Sequence, residues 1–135
     1  MKIPHNAHVA LVDGTRFVLL RNEGQIFEPR LKKIAEPSLE ATNFSAGVKH
    51  QDTTGQMKGN TDLNELAHGA AAAEWLNAKA IAGEFEELLV VADPKTLGEM
   101  RRHYHKELEK RLVGEVDKAL TSEPLDRIEK VLANA

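Results

Sequence analysis

Leu88-Leu89-Val90-Val91-Ala92-Asp93-Pro94 is the stretch on which the fold turns. Five consecutive apolar residues leave no alternation for a solvent face, the pattern of a strand covered on both sides in a parallel sheet. Asp93 is a good helix cap and Pro94 suits the first helical position, so a helix follows at once. Thr96 and Glu99 stand at capping-box spacing behind it. Leu97, Met100, Tyr104 and Leu108 recur at i, i+3, i+7 and i+11, which predicts one continuous helix with these residues inward. Arg101, Arg102, His103, Lys106 and Lys110 fall on its outer face.

Downstream, Leu112 to Leu120 alternates and predicts a last strand with one polar face. Thr121 or Ser122 is then the expected cap of a final helix, with Pro124 in its first turn and Leu125, Ile128 and Leu132 inward. Upstream, His8 to Val12 and Thr15 to Arg21 are β-rich runs separated by Asp13-Gly14. That pair predicts a type I′ hairpin, whose two central positions both need positive φ. Asn22-Glu23-Gly24 makes a second turn, and Gln25 to Ile34 supplies a weaker third strand that Pro29 restricts to an edge. Asp62 or Thr61 can cap a helix running to about Gly83, with Leu66, Gly69, Ala73, Leu76 and Ala80 as its inner stripe.

The element order is therefore β-β-β-α-β-α-β-α. Right-handed crossovers make the late strands parallel. The expected fold is α/β: a five-stranded mixed sheet in the order 3-2-1-4-5 with helices on both faces, the ribonuclease H-like arrangement. At 135 residues the chain is expected to form a single domain, interrupted by a polar loop at about 36–61. Loops of that length tend to carry function or to lack order.

Apolar residues make up 41% and charged residues 29%, an ordinary globular balance. The absence of cysteine excludes disulfides and thiolate metal sites. The opening residues Met1-Lys2-Ile3-Pro4-His5-Asn6 lack a secretory apolar core, and no run approaches membrane-span length, so a cytoplasmic location without a membrane partner is expected. A net charge of −3 and a pI near 6.1 argue against broad electrostatic capture of nucleic acid.

Three blocks combine into a wider pattern. These are Val12-Asp13-Gly14 with Arg16, Leu89-Val90-Val91-Ala92-Asp93-Pro94 before Leu97-Gly98-Glu99-Met100-Arg101, and Arg111 through Thr121. Together they resemble the bacterial family named for a protein required for attachment to host cells. That family is similar in turn to the middle domain of eukaryotic and archaeal peptide-release factors, which carries a Gly-Gly-Gln loop on a ribonuclease H-like core. The resemblance directs attention to Thr53-Thr54-Gly55-Gln56-Met57-Lys58-Gly59-Asn60 in the long loop. It implies that Gly55 and Gln56 are the catalytic candidates, helping to organise water at a peptidyl-tRNA ester. Thr54 stands where the first glycine would be, and threonine does not share glycine's positive-φ conformations.

Lys49 and Lys58 in the loop, with Arg101 and Arg102 on the helix, are the candidate nucleic-acid contacts; Glu99, Glu107 and Glu109 dilute the helical strip. Asp13 and Asp93 could recruit a metal in a nuclease of this fold, but one has a turn to make and the other a helix to cap. His103 and His105, two apart on a helix, point about 200° from each other and cannot chelate one ion. His5 and His8 have no partner at ligand spacing. Neither metal nor cofactor is expected. The leading expectation is a host-attachment-family protein acting as a non-enzymatic adaptor or translation-associated factor, with the ribosome, tRNA or another protein as partner. The alternative is a ribosome-rescue or peptidyl-tRNA hydrolase-like factor working through Gln56.

Overall fold

The computed structural model describes residues 2–39 and 57–135, and of 57–63 only the backbone. Five strands, β1 (His8–Val12), β2 (Phe17–Asn22), β3 (Leu31–Ala35), β4 (Leu88–Ala92) and β5 (Leu112–Val116), form one mixed sheet in the order β3-β2-β1-β4-β5. Four helices accompany it among the described residues: α1 (Met57–Ile81), α2 (Pro94–Arg101), α3 (Lys106–Arg111) and α4 (Leu125–Ala133). β1 pairs antiparallel with β2 and parallel with β4, so both its edges are covered, and all five residues of β4 are buried. The expected α/β class and strand order therefore hold.

Alternation along the strands divides the core in two. Ala10, Val12, Phe17, Leu19, Leu88, Val90 and Ala92 pack with Leu76 and Ala80 of α1, Leu97 and Met100 of α2, and Leu108 of α3. Val9, Leu11, Val18, Leu20, Leu89 and Val91 face the other way, against Ile128 and Leu132 of α4 and the N-terminal Ile3 and Ala7. Small residues let α1 lie close to its neighbours: a Cβ on Gly69 would stand 3.3 Å from Thr96 Cγ2. No described helix is long and apolar enough to cross a membrane.

Several boundaries differ from the sequence reading, each for a local reason. The Asp13-Gly14 connection is not type I′, because the only positive-φ residues described are Asn6 and Gly83. Residues 13–16 bridge the strands instead, closed by Asp13 N–H to the Arg16 carbonyl at 2.9 Å. Gly14 is needed there for room, since a Cβ would meet Glu65 Cγ at 2.6 Å. β3 begins only after Pro29, and paired backbone bonds between Gln25 and Glu28 form a turn where strand was expected. Helix α1 starts at Met57, ahead of Thr61 and Asp62.

The single helix expected from Pro94 to Lys110 is two. Asn77, buried on α1, donates to the His103 carbonyl at 2.7 Å and accepts from His105 N–H at 2.9 Å. One side-chain amide thus satisfies both ends of the break, and His105 then caps α3 by accepting from Glu107 N–H at 3.0 Å. β5 ends at Val116, beyond which Asp117, Lys118 and Ala119 are exposed. Neither Thr121 nor Ser122 caps α4, whose cap position is Pro124 with no side-chain bond.

Candidate functional site

In an open sheet with parallel strands, ligands gather beyond the carboxyl ends of those strands, where loops and helix starts converge. Here that edge is formed by Asp13 after β1 and Asp93 after β4. Asp93 Oδ2 accepts from Thr96 N–H at 3.1 Å and so caps α2 as expected. Asp13 is more heavily engaged. Its Oδ1 accepts from Thr15 N–H at 2.8 Å and Arg16 N–H at 2.6 Å, and its Oδ2 accepts the Thr121 hydroxyl. Burial works to raise the Asp13 carboxyl, but the bonds from Thr121, Thr15 and Arg16 outweigh it and hold the group below its ordinary value. Both aspartates are spent on local structure. Among the described residues no three His, Asp or Glu side chains gather as a metal site would need.

Around Asp13 the chain is tied together from four directions. Arg16 donates to the Thr121 carbonyl at 3.2 Å and pairs with Glu36 at 3.3 Å. Lys33 reaches Glu36 at 2.6 Å, and these two cations hold the Glu36 carboxyl below its usual range. His68 of α1, almost fully buried, has Nδ1 2.7 Å from the Asp13 carbonyl. A carbonyl only accepts, so Nδ1 carries the proton and, in the neutral ring, Nε2 is the acceptor. Thr15, Arg16, Phe17, residues 36–39 and His68 line a cleft of about 230 Å³.

This cleft stands where the described chain leaves after β3 and re-enters at α1. Residues 36–39 leave β3 along one wall, and α1 supplies His68 to the other. Helix α1 runs antiparallel to β4: Gly69 lies against Thr96 at the carboxyl edge, and Lys79 pairs with Glu84 at the other end. Glu65 is level with Gly14, so the preceding residues 57–64, about 12 Å of helix at 1.5 Å per residue, extend past the sheet.

The sequence-derived candidates are distributed unevenly over this frame. Lys49, Gly55 and Gln56 lie outside the described residues, and Lys58 is in the first turn of α1, where only backbone is described. Arg101 and Arg102 are exposed at the far end of α2, which starts at the carboxyl edge and runs away from it. Arg101 pairs with Glu115 at 3.0 Å and Arg102 with Glu99 at 3.4 Å. Glu115 also accepts from Tyr104 at 2.9 Å, and burial together with that carboxylate pushes the phenol well above its usual range. His68 and the Thr121–Asp13 bond were not legible as site features. A lone histidine in an alanine-rich helix carries no pattern, and Thr121 looked like a helix cap.

The comparison with protein families gives the class, which is release-factor-like. Within that class the chain belongs to the bacterial archaeo-eukaryotic release factor family 12, whose family model matches residues 6–132. The match takes in every strand and the segment containing Gly55 and Gln56. A comparison with curated proteins found no match.

Proposed function

We propose that this chain is a translation-associated factor of the cytoplasm that docks on the ribosome or on tRNA through the segment rooted at the carboxyl edge of the sheet. The observation that carries the proposal is the family match, which covers the core and the Gly55-Gln56 segment together. In support, the stem at residues 36–39 and the α1 stem meet the same cleft, where Asp13, Thr121, Arg16 and His68 tie β1, the chain after β5, and α1. A docking segment benefits from rigid roots, because its partner then meets a preorganised base. A host-attachment phenotype would follow from this role indirectly, through altered synthesis of surface components.

Docking without chemistry is the preferred reading, because Thr54 limits the backbone freedom that a Gly-Gly-Gln turn provides. Hydrolysis of the peptidyl-tRNA ester through Gln56 is the second reading, favoured by the Gly55-Gln56 pair itself. Sedimentation with purified ribosomes, followed by a peptidyl-tRNA release assay on wild type and Gln56→Ala, tests both. Association without release supports the docking factor. Release that Gln56→Ala abolishes replaces it with a hydrolase, and absence of association defeats the ribosomal reading altogether.

A further inference from the structure

We draw no further inference here: the strongest candidate, the apolar groove between α1 and the β2–β3 side of the sheet, where Leu19, Ile34, Trp75 and Phe85 line a cavity of about 290 Å³, is an unpartnered face, and nothing among the described residues shows what covers it.

Discussion

The Thr121 hydroxyl donates to the Asp13 carboxylate, joining positions 108 residues apart and fastening the segment after β5 to the end of β1. Asp13 also accepts from Thr15 and Arg16, so a single carboxylate closes the β1–β2 connection and anchors the approach to α4. Thr121→Val keeps the shape and removes the donor; it should destabilise the chain by about 1 kcal/mol, the low end for a bond to a charged group because Asp13 is partly solvated. Denaturant unfolding, read as a shift in midpoint at constant slope, measures it.

The same carboxyl predicts a pH dependence. Its folded value lies below the ordinary 3.8, so at acid pH the unfolded chain binds the proton more readily than the folded one. Stability from Asp13 is therefore present above pH 3.8 and is lost as pH falls through the depressed folded value. Unfolding midpoints of wild type and Asp13→Asn should converge as pH is lowered below that point. A constant gap between them down to pH 2, on the order of two units lower, would refute the assignment.

Gly14 and Glu65 hold the end of β1 and α1 in close approach beside the candidate site. A Cβ on Gly14 would lie 2.6 Å from Glu65 Cγ and 2.9 Å from its Cβ, so Gly14→Ala should destabilise by roughly 1–3 kcal/mol, as overpacking does. Glu65→Ala removes the first contact but not the second. The double variant should thus recover part of the loss, and additive effects in the cycle would show that the two residues do not meet.

Asn77 is the buried amide that splits the helix expected between Pro94 and Lys110. Asn77→Ala should cost about 1–2 kcal/mol, since both backbone groups lose their partner but lie near solvent. Asn77→Asp is the sharper variant. Its carboxylate still accepts from His105 N–H but can only repel the His103 carbonyl, so it should be no more stable than alanine at neutral pH and should gain relative to it on acidification. A calorimetric or denaturant series across pH distinguishes the two.

These residues also explain what the sequence could and could not disclose. The five apolar residues of β4 and the β-rich runs of β1 and β2 announce themselves by local pattern, and crossover handedness then sets the strand order. The helix break depends on a side chain 26 to 28 positions away, which no periodicity in residues 94–111 can register. Glycine at position 14 suggested a turn requirement, whereas its reason is the approach of Glu65 from another element. At the candidate site the polarity of residues 36–61 was evident, but the cleft at its root is assembled by contacts between Asp13, Arg16, His68 and Thr121. Their spacing in sequence carries no signature.

The four candidate cations fall into two pairs, Lys49 with Lys58 and Arg101 with Arg102. Arg101 is partly engaged by Glu115 and Arg102 by Glu99, and both sit on the order of one eight-residue helix, about 12 Å, from the carboxyl edge. Lys49 and Lys58 belong to the segment proposed to dock. Lys49→Ala/Lys58→Ala should therefore weaken ribosome or tRNA association and flatten its dependence on salt by about 1.4–1.8 in the log–log slope, the release expected for two phosphate contacts. Arg101→Ala/Arg102→Ala should change that slope by less than about half as much, because part of each charge is already answered by a carboxylate. Binding measured over a salt series decides between the pairs. A larger loss of slope in the arginine variant would move the docking face from the loop to the exposed side of α2.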